Sequence, residues 1–150
     1  MRLVVQRVKK ASVSVDGKRI SSIETGLLIF VGVAHSDTSF DATHLARKTK
    51  NLRIFPDADG KMNRSVADLG GEILAVSQFT LYGDCTKGNR PSFISAARPE
   101  HGEDLFNQYV QALKTLGASV QTGQFGANMQ VELLNDGPVT LLLESTARTH

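Results

Sequence analysis

From Leu3 to Val8, and again from Ala11 to Val15, β-branched and polar residues alternate with the two-residue period of a half-buried strand. Asp16-Gly17, ahead of Lys18 to Ile23, is a hairpin signal, because a tight type I′ turn needs residues that tolerate positive φ. The chain is therefore expected to open with antiparallel strands. Gly26 to Ala34 (GLLIFVGVA) abandons the alternation: it is continuously apolar and bounded by turn formers, as a strand covered on both faces would be, and it is expected at the centre of the sheet. Ser36, Asp37, Thr38 and Ser39 offer N-cap oxygens before Ala42, Leu45, Ala46 and Leu52, which share one helical face and predict a helix from about Phe40 to Asn51.

Ile54-Phe55 then meets Pro56 and the Asp57-Ala58-Asp59-Gly60 cluster, which predicts an exposed, turn-rich loop ending near Gly70-Gly71. Glu72 to Phe79 (EILAVSQF) predicts a strand that runs directly into Thr80-Leu81-Tyr82 and a polar loop from Gly83 to Pro91. Leu105, Phe106, Tyr109, Val110, Leu113 and Leu116 recur at helical spacing and predict a second helix over Glu103 to Leu116, with Gly117 placed to stop it. Ser119 to Thr122, Met129 to Leu134 and Val139 to Glu144 are expected to finish the chain as strands, the last two joined by an Asn135-Asp136-Gly137-Pro138 turn. The polar tail from Ser145 to His150 is expected to fray. Two helices among about eight strands, without strict βαβ alternation, give an α/β fold. It is expected to be a single-domain layered sandwich over residues 1–150, of mixed, largely antiparallel β-sheets with two helices covering one face.

Composition narrows the chemistry. At 150 residues the chain has the length of one ordinary domain, able to bury roughly 70% of its unfolded surface. No apolar run approaches a membrane span and Met1 leads into a strand rather than a signal peptide, so a soluble, cytoplasmic protein with no membrane partner is expected. Seventeen Lys and Arg against fifteen Asp and Glu leave a net charge of +2, so any anion-binding patch must be local. Cys85 is the only cysteine, which excludes an internal disulfide; beside Lys87 and Arg90, but with no histidine near it in sequence, it reads as an incidental loop thiol. His35, His44, His101 and His150 are scattered outside any metal-ligand spacing, and the Asp57 cluster lacks the later ligands of a calcium loop. Neither a metal nor a cofactor is expected. Dinucleotide and phosphate-binding glycine loops and the Gly-x-Ser-x-Gly elbow are likewise missing from the sequence.

Two segments stand out. In Ser77-Gln78-Phe79-Thr80, hydroxyl and amide groups crowd the end of a strand that its periodicity would keep apolar. Alone, they read as side chains capping free backbone groups. Asn135-Asp136-Gly137-Pro138-Val139-Thr140 alone reads as a turn. Together the two motifs resemble the D-aminoacyl-tRNA deacylase family, which carries Ser-Gln-Phe-Thr and a Gly-Pro in an Asn-Asp-Gly-Pro-Val-Thr context. The resemblance continues through Asn51 to Phe55, Gly60 to Asn63, Gly88 to Phe93 and Phe125 to Val131, and so covers nearly the whole chain.

That resemblance implies hydrolysis of the ester linking a D-amino acid to the terminal adenosine of tRNA. Backbone N–H groups around Phe79 and Thr80 would face the substrate carbonyl, with Ser77 and Gln78 shaping the pocket. Attack would be assisted by the neighbouring ribose 2′-OH; a Thr80 nucleophile would need a base that the sequence does not supply. Gly137-Pro138 would be a cis-peptide wedge that enters the site of the other subunit of a homodimer and reads chirality with main-chain atoms. It would exclude L side chains while leaving glycyl esters acceptable. Arg7 would tether the wedge, Phe125 and Met129 would pack near it, and Lys87 and Arg90 would contact acceptor-end phosphates. Two alternatives stay open here: a non-catalytic RNA-end-binding module, and a hydrolase of small esters using Thr80.

Overall fold

The computed structural model describes residues 1–145. Strand β1 (Arg2–Val15) turns through Asp16-Gly17, both at positive φ, into β2 (Lys18–Ile23), and β3 (Gly26–Gly32) follows. The two segments expected at the start are thus one strand, because its partner shifts register beside it rather than ending. Helix α1 (Ser39–Asn51) starts one residue earlier than its apolar pattern indicates, where the Asp41 carboxylate accepts the Thr38 N–H at 2.8 Å. The loop that follows carries a short ribbon, β4 (Phe55–Pro56) with β5 (Met62–Arg64), and is not wholly exposed: Ile54, Phe55 and Val66 are buried in the main core. Strand β6 (Glu72–Ser77) leads into a 3₁₀ turn (Phe79–Tyr82). Helix α2 (Pro99–Thr115) then precedes β7 (Ser119–Thr122) and β8 (Met129–Glu144). The first turn of α2 precedes its apolar stripe because Pro99, with φ already set for a helix, occupies its start.

In the main sheet β1 gives one edge to β3 over Arg2 to Val8 and then to β2 over Ala11 to Val15. Its other edge pairs with β8. Strands β3, β6 and β7 run parallel, with α1 and α2 as their crossovers. Both helices cover one face, packing Ala42, Leu45, Leu105, Tyr109 and Leu113 against Leu3, Val5, Leu27, Ile29 and Ile73. Behind the sheet, Val8, Val13, Ile23, Leu28, Leu74 and Val76 form a second core to which no helix contributes among the described residues. Met129, Val131 and Leu133 of β8 cover that core, so the sheet curls round to bury its own rear face. The continuous apolar run of β3 has its explanation in these two cores: Leu27 and Ile29 serve one, Leu28 the other.

The hairpin expected at Asn135 to Pro138 does not form. Strand β8 keeps its direction from Met129, opposite Val15, to Glu144, opposite Arg2. Between the pairs Val8↔Asn135 and Gln6↔Thr140, two steps of β1 face five of β8, so residues are pushed out as a wide excursion. The Asn135 amide closes its neck, donating to the Arg7 carbonyl at 2.9 Å and the Val139 carbonyl at 3.0 Å. Turn-forming residues cannot reverse the chain here because β1 continues to offer hydrogen-bonding groups on both sides of them.

At the end of β8, Ser145 is held rather than frayed: its N–H donates to the Met1 carbonyl at 3.0 Å, and its hydroxyl accepts from the Met1 ammonium at 2.8 Å. The rest of the tail, residues 146–150, lies outside the described residues. Between the helices, Thr49 donates to the Leu45 carbonyl at 2.8 Å, which leaves Tyr109 to donate its hydroxyl to Thr49 at 2.8 Å; burial pushes the Tyr109 phenol well above its ordinary pKa. Tyr109→Phe removes one neutral hydrogen bond and should cost about 0.5–1.5 kcal/mol, whereas Thr49→Val strands a buried hydroxyl and should cost about 1–3 kcal/mol. Urea denaturation of both variants checks the order.

Candidate active site

The strand expected to reach Phe79 stops at Ser77. Gln78 still donates its N–H to the Val31 carbonyl at 2.8 Å, and the chain then folds back over the end of β3 as the 3₁₀ turn. Gly32 makes room for this: a Cβ there would lie 3.0 Å from Leu81 Cβ and 3.2 Å from the Gln78 carbonyl oxygen. The side chain of Gln78 does not cap the turn but donates to the Thr80 hydroxyl. The N–H groups of Phe79 and Thr80, first in the turn, have no acceptor within it and are available to a ligand.

The far end of the turn is clamped by Arg2, which donates to the Leu81 carbonyl at 2.7 Å, lies 4.7 Å from the centre of the Tyr82 ring and pairs with Glu144 at 2.6 Å. The Tyr82 phenol is pushed up to about 12, by burial first and then by the negative charge of Asp37, and so stays neutral at physiological pH.

Beside this turn opens a cavity of about 620 Å³. Ser77, Gln78 and Phe79 form one wall, Phe93 and Ala96 to Pro99 a second, and Phe125 to Met129 with Val131 a third. Arg98 is the only ionisable side chain among the described lining residues; carboxylates and imidazoles are absent from them. The cavity can therefore enclose an apolar or aromatic group and present backbone dipoles to it, but it brings no side-chain base. Thr80 lies exposed beyond the lining. Lys87 and Arg90 stand exposed on a loop whose neck is a pair of hydrogen bonds between Asp84 and Ser92, at 2.7 and 2.9 Å.

Gly137 and Pro138 do not line this cavity. They are exposed on the excursion of β8, joined by a cis peptide, with Gly137 at φ +121°. Val131 at the cavity stands opposite Val13, and the excursion lies beside Arg7, six residues further along β1, or roughly 20 Å of strand. Arg7 pins it: Nε donates to the Asp136 carbonyl at 3.2 Å and pairs with the Asp136 carboxylate at 3.3 Å. Its Nη1 donates to the Ile54 carbonyl at 2.7 Å. A Cβ on Gly137 would come within 2.9 Å of the Arg7 guanidinium and of Val139 Cγ2. The expected site residues thus fall into two groups within the chain: Ser77, Gln78, Phe79, Phe125 and Met129 at the cavity, Arg7 with Gly137 and Pro138 away from it.

The model of the D-Tyr-tRNA(Tyr) deacylase family matches residues 4–144. The chain belongs to that family. A D-aminoacyl-tRNA deacylase of Chloroherpeton thalassium is 59% identical over 149 residues, covering 99% of this chain and 98% of the relative. One from Halalkalibacterium halodurans is 55% identical over 145 residues, covering 97% and 99%. Among solved structures, the c-Myc DNA Unwinding Element Binding Protein superposes with a TM-score of 0.92 at 45% identity, covering 98% of this chain and 100% of that one. A structure described as a probable eukaryotic D-amino acid tRNA deacylase shares the fold at 16% identity, with a TM-score of 0.81 over 96% and 98% of the two chains.

Sequence reasoning missed three residues that shape this candidate site. Gly32 and Arg2 position the turn through contacts with no local signature, while Phe93, in the Gly88 to Phe93 segment, has a role only once it meets Phe79 at the cavity. Arg7→Ala would leave the Ile54 carbonyl and the Asp136 carboxylate without their donor and should cost about 1–3 kcal/mol. Arg7→Lys, a point charge without the planar fork, should recover only part of that. Chemical denaturation, with amide exchange followed at residues 135–140, checks both.

Proposed function

We propose that this chain hydrolyses the ester between a D-amino acid and the terminal adenosine of tRNA, acting as a deacylase in the cytoplasm, where charged tRNA is used. The observation that carries the reading is a cavity with free backbone N–H groups at its edge and no carboxylate or imidazole among its described lining residues, in a chain of this family. An aminoacyl ester is already a reactive acyl donor, so positioning and oxyanion stabilisation go far. Water attacks the carbonyl carbon, the Phe79 and Thr80 N–H groups hold the oxyanion, and collapse expels the ribose 3′-oxygen, which takes up a proton. Ser77 and Gln78 shape the wall beside the carbonyl. The vicinal 2′-OH of the ribose assists the attack. Thr80 is poorly suited to be the nucleophile, since its hydroxyl accepts a hydrogen bond from the Gln78 amide, and an amide NH₂ cannot take its proton.

Chirality is read by a wedge from a second copy. The chain's own Gly137-Pro138 is absent from its cavity lining, yet Arg7 and Asn135 hold that excursion rigidly outward. Strand β8 pairs only with β1 among the described residues, leaving a long free edge on which Leu134 and Leu142 are exposed. A twofold homodimer would cover that edge and give each cavity the other chain's wedge. Main-chain carbonyls of the wedge would accept hydrogen bonds from the substrate ammonium and leave no space for an L side chain. Glycine, with no side chain, passes the same filter. Phe125 and Met129 would pack around the amino acid, and Lys87 and Arg90 would meet phosphates near the acceptor end.

With chelator present, the purified chain should hydrolyse D-tyrosyl-tRNA on the order of 10³-fold faster than L-tyrosyl-tRNA and should also accept glycyl-tRNA, as followed by release of labelled amino acid. A substrate ending in 2′-deoxyadenosine should lose about 10²-fold or more while Thr80→Ala retains activity; the opposite pattern would transfer the nucleophile's role to Thr80.

Mixing two inactive variants tests the shared site separately. A chain with its wedge displaced by Gly137→Asp, combined with one whose cavity is filled by Ala97→Phe, should regain about a quarter of wild-type activity after subunit exchange, since half the dimers are mixed and each has one intact site. No recovery in dimers shown to be mixed would refute the wedge in trans.

A further inference from the structure

We propose that the outer rim of the cavity, formed by Phe79, Phe93 and Ile94 and flanked by Lys87 and Arg90, is a stacking platform for the unpaired nucleotides that precede the terminal adenosine of tRNA. This rests on the reading above, in which the ester joining a D-amino acid to that adenosine is hydrolysed at the cavity. The rim is apolar where solvent would normally favour polar groups: Ile94 is 86% exposed, Phe79 57% and Phe93 38%. Single exposed apolar residues are ordinary on a protein surface, but Phe79 and Phe93 both line the cavity, and the exposed Ile94 directly follows Phe93 in the chain. Phe79 and Phe93 meet edge to face with ring centres 5.1 Å apart.

The platform is also held in place. A Cβ on Gly83 would lie 3.0 Å from the Phe93 ring, so that ring is seated on bare backbone while part of it faces solvent. The Asp84–Ser92 hydrogen bonds close the loop directly before Phe93. Within that loop the Asp84 carboxylate is engaged internally, accepting the Thr86 hydroxyl at 2.7 Å and the Thr86 N–H at 2.9 Å. No hydrogen bond or ion pair joins Lys87 or Arg90 to a described residue.

Aromatic rings beside unpaired cations, next to a cavity for the aminoacyl ester at the RNA's end, match a single-stranded polyanion whose bases have apolar faces. A purely apolar protein partner would leave those two charges unmet. The rim therefore contributes to holding the RNA, separately from chiral selection.

Fluorescence anisotropy of a labelled, uncharged acceptor-stem hairpin carrying the single-stranded 3′ end tests this without requiring any ester hydrolysis. Ile94→Ser and Phe93→Leu should each raise Kd about 3- to 10-fold, and Lys87→Ala/Arg90→Ala should raise it and flatten its salt dependence. An abasic site in place of the penultimate base should weaken wild-type binding similarly, and Ile94→Ser should add little on that RNA. Wild-type affinity in the rim variants would overturn the proposal, as would an Ile94→Ser effect equally large on the abasic RNA. So would a change in sedimenting species with RNA affinity unchanged, which would assign the patch to protein contact. Failure of the chain to hydrolyse any D-aminoacyl ester would sink the deacylase reading alone and leave the binding result to be judged independently.

Discussion

The long antiparallel ladder between β1 and β8 is the constraint on which the remaining structure depends. At one end Arg2 reaches both Glu144 across the ladder and the carbonyl of the turn that presents Phe79 and Thr80. In the middle, the mismatch of two steps against five forces an excursion that Arg7 and Asn135 hold open. At the other end Met129 and Val131 become a wall of the cavity. A one-residue slip would exchange the faces of β8, removing Val131 and Leu133 from the rear core and displacing all three features together.

The curl of the sheet explains why the cavity is largely apolar and poor in acids. Strands β3 and β6 are covered by helices in front and by the sheet itself behind, so the ends from which Val31, Val33 and Val76 reach the cavity emerge between two apolar layers. Polar side chains enter where the chain leaves the sheet at Ser77 and Gln78 and from the facing walls at Arg98 and Asn128, without a carboxylate or imidazole among the described lining residues. In such surroundings fixed N–H dipoles act more strongly than they would in water, and a lone carboxylate would be costly to keep charged. Chemistry that relies on main chain and on the substrate's own hydroxyl suits that environment.

Much of the fold was legible in the sequence because strand and helix periods are local. The β1–β2 hairpin, the doubly covered β3, both helices and the strand before Ser77 all follow from spacing, and Ser77 to Thr80 with Gly137-Pro138 were recognisable through family resemblance. The misreadings share a cause. The turn residues of Asn135 to Pro138 were read as a hairpin because nothing nearby in sequence reveals that β1 runs past them with open hydrogen-bonding groups. Strand β6 was extended to Phe79 because the space made by Gly32 lies on another strand. Val66 was assigned to an exposed loop although it is buried against the main core.

The chain alone determined which residue types are present to act: apolar runs for two cores, one cysteine, scattered histidines and two unusual motifs. Tertiary structure decided where they act. It put Phe125 and Met129 with Ser77 and Gln78 at one cavity, left the chain's own Gly137-Pro138 outside it, and brought Phe79 and Phe93 edge to face at its wall. The division follows from range: periodicity and turn chemistry depend on neighbours a few residues away, whereas cavities, clamps and uncovered edges arise only when distant segments exclude water from one another.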